Sequence, residues 1–334
     1  MTMTSIGDLA RSMILQRQTN TTKTDLARLT EMLASGRHAD QAAEVRGDLG
    51  PLAAIEGTLA RLGAWQSAGM ALAARLGVMQ TALGALNGIA ETQATNLLRL
   101  GNGARDDQVS LAASDARDHL EAAIGVLNAR YGGQSVFAGT RTDGPAVASA
   151  DVLLDTLMPL VGGAATADQA RAAVLAWFDD PAGFAAQGYL GGVAQPAIAI
   201  GPGSSAAAVV TGNDPDLRKA LAGLAMAALL DRGLFSGQPV ARQQLAEMGG
   251  EVLTANASAR IHLAAGLGAT EQRLAEVQAR NAAEQGALGI VRSGLISADP
   301  YATATDLESA RVQLETLFAI TSRLSGMSLL GYLR

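Results

Sequence analysis

The last 28 residues, Leu307 to Arg334, constrain this chain more than any other stretch. Leu307, Ala310, Leu314, Leu317, Thr321, Leu324 and Ser328 recur at alternating steps of three and four. That spacing marks a helix packing lengthwise on another helix. Phe318, Ile320 and Met327 widen the stripe. Burying one Leu or Phe side chain is worth roughly 1.5–3 kcal/mol, so about six of them approach roughly 10 kcal/mol, the net stability of a whole domain. A stripe of that size requires a partner.

The opening segment is one candidate. Residues 5–34 read as a helix with apolar positions Ile6, Leu9, Met13, Leu26, Leu29 and Leu33. Its middle, Gln16 to Lys23, is polar and threonine-rich, so its helix propensity is low and it is expected to order on meeting a partner. Such a segment cannot cover the C-terminal stripe alone. Neighbouring subunits are therefore expected to bury Leu307, Leu314, Leu317, Phe318, Leu324, Leu329 and Leu330, together with the six N-terminal positions.

Between the ends the pattern changes twice. Pro51, favoured at a first helical position, opens a long helix to about Leu100 carrying Leu52, Ile55, Leu59, Leu62, Met70, Leu76, Met79, Leu83 and Leu86. Glycines at 57, 63, 69, 77, 84 and 88 each cost a helix up to about 1 kcal/mol, which points to close helix contact. A third helix is expected over Asp106–Tyr131. From residue 132 to 238, glycine and proline are dense and charges sparse. Short helices are expected at 151–161, 167–178 and 216–230, with short strands at 197–200 and 209–211.

Helices resume near Gln243. Leu263, Leu267, Thr270, Leu274, Val277, Asn281, Glu284, Leu288, Val291 and Leu295 keep the heptad spacing without a slip, with Asn281 and Glu284 as polar register markers. Asp299-Pro300 then starts the final helix. The expected fold is mainly α. Long antiparallel, coiled-coil-like terminal helices form a rod, with a small α+β domain inserted. The divisions are 1–45 with 300–334 as assembly arms, 46–135 with 243–299 as a helical rod, and 136–242 as the insertion.

Composition narrows the function. The 334 residues are 49% hydrophobic but only 3% aromatic, which suits long helices in contact better than one bulky core. A net charge of −6 without basic clusters argues against nucleic acid and against an anionic membrane surface. The most apolar run, Ala220 to Leu230, is too short for a membrane span and reads as a buried helix. There is no cysteine, hence no disulfide, thiolate metal site or cysteine nucleophile. The first residues lack the basic and apolar stretches of a secretory signal, so export would use a route without a cleaved signal.

Catalytic and cofactor signals are weak. His38, His119 and His262 are scattered and read as helix-face histidines. Asp106-Asp107 suits a helix start, and Asp179-Asp180-Pro181 a helix exit. Gly201-Pro-Gly-Ser-Ser205 lacks the lysine and context of a phosphate loop and reads as a loop. Gly191-Gly192 and Gly249-Gly250 read as hinges or tight turns. No enzyme, cofactor or metal site is expected.

Three stretches carry a family resemblance. Leu29-Thr-Glu-Met-Leu-Ala-Ser-Gly-Arg37 is similar to the Leu-Ser-Thr-Gly-Lys/Arg that closes the first helix of bacterial flagellins. Leu127-Asn-Ala-Arg-Tyr-Gly-Gly-Gln-Ser-Val-Phe-Ala-Gly-Thr-Arg-Thr-Asp143 resembles the Asn…Gly…Phe-Ala-Gly-Thr…Thr motif of the hook-associated protein 3 branch of that superfamily, the hook–filament junction subunits. Ser325-Gly-Met-Ser-Leu-Leu-Gly-Tyr-Leu333 is similar to the Leu-Ser-Leu-Leu-Asp-Tyr-Leu ending of the same branch. The resemblance implies an extracellular flagellar subunit that packs against copies of itself, hook-side junction proteins and flagellin, and an export chaperone. His38-Ala-Asp40 replaces the usual Asp-Asp after the first helix, and Gly331 stands where Asp is usual. A junction subunit, a filament flagellin and a secreted coiled-coil interaction protein all remain open.

Overall fold

The computed structural model describes residues 6–44, 47–101 and 103–332, with side chains excluded at 6–9, 44 and 324–332. The fold is mainly α with a small α+β part. The helices are α1 (Ile6–Ser35), α2 (Gln41–Glu44), α3 (Gly50–Leu98), α4 (Asp106–Leu127), α5 (Ala150–Val161), α6 (Ala167–Asp179), α7 (Pro215–Asp231), α8 (Pro239–Ala255), α9 (Ala257–Ile296) and α10 (Pro300–Tyr332). Two antiparallel hairpins, β1 (Arg130–Tyr131) with β2 (Gln134–Ser135) and β3 (Ile198–Gly201) with β4 (Ser204–Ala206), supply the strands. The chain divides into two compact units, residues 1–61 with 283–334, and 62–282.

In the first unit, α1 and α10 pair antiparallel. Leu29 and Met32 cluster with Ala310, Ala298 and Leu307, while Lys23 Nζ sits 5.5 Å above the Phe318 ring. The threonine-rich middle of α1 is helical after all. Thr19, Thr21, Thr22 and Thr24 donate their hydroxyls to the carbonyls of Leu15, Arg17, Gln18 and Asn20, at 2.8–3.0 Å. These bonds to the preceding turn give each hydroxyl a partner without leaving the helix. Thr22 is buried. Gly36, at φ 66°, terminates α1 by donating to Met32 O. The strand-like link beyond it pairs Arg37 with Ser297, so α1 ends where α10 begins. Asp299 Oδ1 accepts from Tyr301 N at 2.8 Å and caps α10 ahead of Pro300.

The second unit surrounds α7. Every residue from Ala220 to Leu230 is buried, as expected for the most apolar run. Asp214 caps this helix through Asp216 N at 3.0 Å, and Pro215 opens it. Helices α4, α6 and α8 pack on α7, and α3 adds the buried stripe Leu76, Met79, Leu83, Leu86, Ala90 and Leu97. Met70, expected on that stripe, is exposed. Trp177, Phe178 and Phe184 make an aromatic cluster with centroids 4.9–5.9 Å apart. One buried cluster extends from Leu72 to Val277 and includes residues of 136–242.

The glycines behave differently from expectation. A Cβ at Gly57, Gly63, Gly77, Gly84 or Gly88 would meet nothing within 4 Å; in this set only Gly69 is close to a neighbour, Gln278. Close approach occurs elsewhere. A Cβ at Gly249 would stand 2.9 Å from Gly223 O, and one at Gly223 2.7 Å from Leu253 Cγ. Gly249 and Gly250 are thus interior residues of α8 at its crossing with α7, not a hinge. Val209–Thr211 is not a strand; the second hairpin turns at Pro202-Gly203, with Gly203 at φ 64°.

Candidate assembly surface

The α1/α10 pair buries a narrow seam and exposes much of the rest. On α10, Thr303, Ala310 and Leu317 are buried, and Leu307 and Leu314 half-buried. On α1 the matching positions are Leu15, Thr19, Thr22, Leu26, Leu29 and Met32. The C-terminal heptad seam therefore has a partner within its own chain, α1, which covers these positions in part. Two threonines, Thr19 and Thr22, stand near the centre of the α1 side of this seam. A threonine whose hydroxyl bonds its own backbone presents a methyl group to the seam.

The thirteen expected interface residues split three ways. Leu29 and Leu317 are buried, and Leu26, Leu307 and Leu314 half-buried, all in the intrachain seam. Met13, Leu33 and Phe318 are 63%, 41% and 49% exposed. Ile6, Leu9, Leu324, Leu329 and Leu330 belong to α1 and α10 by backbone, but their side chains lie outside the described residues.

Residues outside the thirteen expected interface positions complete the exposed set. Ile14, Leu49, Ile290, Val291, Tyr301, Val312 and Ile320 are also exposed. The described part of this unit thus has ten large exposed apolar side chains and seven buried apolar residues, Leu29, Met32, Leu52, Ile296, Ala298, Ala310 and Leu317. A helix repeats every 3.6 residues, so Tyr301 and Val312 fall on the face of α10 opposite the seam. They line a shallow groove with Ala304, Thr305 and Glu308. The corresponding face of α1 is polar apart from Met13, presenting Gln16, Arg17, Asn20, Thr21 and Thr24. The amphipathic signal for Tyr301 and Val312 was present, but the more regular seam masked it.

The heptad positions of α9 behave similarly. Leu267, Leu274, Val277 and Asn281 are buried in the second unit, whereas Glu284 and Val291 in the first are exposed. Asn281 does more than mark register. Its Nδ2 donates to Ile200 O at 2.7 Å and fastens the β3–β4 hairpin to α9. Among the described residues of the first unit, Arg292 pairs with Glu56 at 3.0 Å.

The Phe-Ala-Gly-Thr stretch is a backbone junction. Asn128 Oδ1 accepts from Ala146 N and Val147 N at 2.7 and 2.9 Å, and its Nδ2 donates to Val147 O at 2.9 Å. Val136, Phe137 and Ala138 are buried. Gly139 is required on two counts: its φ is 55°, and a Cβ there would stand 2.3 Å from Val193 O. Gly191 and Gly192 pack against this turn, Gly192 N donating to Ala138 O at 2.9 Å.

Two of the titratable residues considered as chemistry, His119 and Asp106, are engaged in packing, and so is Arg260. His119 Nδ1 lies 2.6 Å from Oε1 of the buried Gln93. Asp106 contacts the buried Arg242 at 2.8 Å. Arg260 donates to Asn87 Oδ1 and Leu253 O at 2.9 and 3.0 Å, and burial lowers its pKa against the opposing pull of Asp216 and Glu91.

The class defined by this arrangement is a mainly α chain whose two terminal helices pair with each other and leave apolar side chains uncovered. No protein-family model matches the sequence, and no curated protein matches it. In fold the chain is similar to a solved structure from Vibrio parahaemolyticus, a candidate flagellar hook-associated protein. The two share 15% identity, with 77% of this chain and 98% of that one covered, at a TM-score of 0.50. At that identity the likeness is one of fold.

Proposed function

We propose that this chain is a structural subunit of the bacterial flagellum that assembles through its terminal helices, and in particular a hook–filament junction subunit. The observation that carries the reading is the imbalance in the first unit, where exposed large apolar side chains outnumber buried ones. Half-exposing one such group forgoes about 1 kcal/mol, and an excess of exposed large apolar groups is a feature of interaction surfaces. The three sequence stretches and the fold likeness to a flagellar hook-associated protein support the flagellar setting.

In this reading residues 1–45 and 300–334 are the assembly arms, 46–135 and 243–299 the helical support, and 136–242 the outward part. Partners are copies of the same chain in head-to-tail, non-closing contacts, with hook-side junction proteins and flagellin at the two ends. An export chaperone would cover the arms before assembly. The protein works outside the cell by assembly and not by catalysis. Gold-labelled antibody on intact cells tests this: label confined to the base of the filament is expected. Label along the whole filament would make the chain a flagellin, and label absent from flagella would overturn the flagellar reading.

A further inference from the structure

The second unit contains a cavity of about 240 Å³ in which Arg75 is the only charged lining residue. Its walls are largely apolar, built from Leu72, Val136 and Ile198 among others, with Tyr131, Gln134 and Gln195 as polar groups. Arg75 Nη1 donates to Gln195 Oε1 at 2.7 Å, and Nη2 to Val136 O at 3.0 Å and Ser135 O at 3.4 Å. All three acceptors are neutral. Arg75 Nε is buried with no hydrogen-bond partner. Among the described residues no carboxylate lies within ion-pair distance of this guanidinium.

A half-buried cation held by neutral carbonyls has no counter-charge beside it, whereas desolvated charges are ordinarily paired. Burial lowers the Arg75 pKa, with no carboxylate opposing it. The orientation of the group is fixed by its neighbours in the cavity wall. Gln195 accepts from Arg75 and donates to Gly139 O at 3.1 Å, which ties the guanidinium plane to the Phe-Ala-Gly-Thr turn. Apolar walls with one oriented cation are the usual composition of a small-ligand site.

We propose that this cavity binds a small carboxylate, its anionic end on Arg75 and its short apolar body against Leu72, Val136 and Ile198. At roughly 30 Å³ for each water-sized group, the space holds about eight such groups, enough for a four- to six-carbon acid. The inference does not depend on the assembly reading. The test is a titration of the full chain with butyrate, followed through the arginine Nε–H resonances, with butyramide as the uncharged isostere. Arg75→Lys assigns the Arg75 signal by its disappearance.

Butyrate is expected to shift that signal saturably in the low-millimolar range, and butyramide at least about tenfold more weakly. Arg75→Gln is expected to abolish butyrate binding, read on other cavity resonances. A linear, non-saturating response, equal binding of butyramide, or undiminished binding by a folded Arg75→Gln would each overturn the proposal. If Arg75→Gln does not fold, the comparison of butyrate with butyramide on the unaltered chain decides alone.

Discussion

Replacing Asn128 by Ala removes one side chain and leaves three backbone groups without their partner. Ala146 N and Val147 N lose the Oδ1 acceptor, and Val147 O loses the Nδ2 donor. Ala146 is 0% and Val147 1% exposed, so water cannot readily take over these bonds. A buried polar group stripped of its partner costs about 1–3 kcal/mol. Because the three share one site and relax together, a total of about 3 kcal/mol is expected, with a range of roughly 2–5. Asn128→Asp keeps the two acceptor bonds and loses the donor, so a smaller loss is expected. Both tryptophans, Trp65 and Trp177, lie in the second unit, so urea unfolding followed by tryptophan fluorescence reports on the unit concerned. A shift worth less than about 1 kcal/mol for Asn128→Ala would refute the view that this asparagine organises the turn.

Three further outcomes follow from the geometry. Gly249→Ala places a Cβ 2.9 Å from Gly223 O and should cost about 1–3 kcal/mol, whereas Gly84→Ala, in open space on α3, should gain up to about 1 kcal/mol; chemical denaturation of the two variants side by side checks both signs. Burial raises the Asp214 pKa, against the opposing effect of its bond from Asp216 N. The folded state then holds the proton more tightly than the unfolded one, so stability should fall as pH rises from the unfolded to the folded pKa. Asp214→Asn preserves the cap and should flatten that part of the stability–pH curve. Deleting Ser325–Arg334 should leave the tryptophan-reported transition of the second unit in place and abolish assembly; a truncated chain that still reaches the flagellum would contradict this.

Much of the helical framework was legible because its boundaries are written in local chemistry. Asp214-Pro215 and Asp299-Pro300 each announce a cap followed by a first-turn proline, and α7 and α10 begin there. The burial of Ala220–Leu230 followed from composition alone. Glycine was misread in both directions, since a missing Cβ is silent about whether anything lies beyond it. Gly77 and Gly84 face open space, while Gly249 touches another helix. The strand expected at 209–211 was misplaced because Val209 and Val210 have the better strand propensity, yet the turn chemistry of Pro202-Gly203 decides where the chain reverses and puts the second strand at Ser204–Ala206. On the candidate surface, the periodicity identified the seam and the opening helix as a partner, but not how much of the stripe that helix covers. Thr19 and Thr22 look like poor core residues until their hydroxyls are seen bonded to the preceding turn. Tyr301 and Val312 passed unnoticed because two apolar faces on one helix blur each other.

The central claim is that the apolar side chains left outside the α1/α10 seam exist to be covered by other copies. Sedimentation velocity over a concentration series compares the unaltered chain with a Val312→Lys, Phe318→Glu variant. Both altered positions are about half exposed in the folded chain, so the variant should lose no more than about 1–2 kcal/mol per site and remain folded. The unaltered chain should associate progressively as concentration rises, and the variant should remain a single species. An unaltered chain that stays monomeric throughout, with or without added filament fragments, would contradict the account.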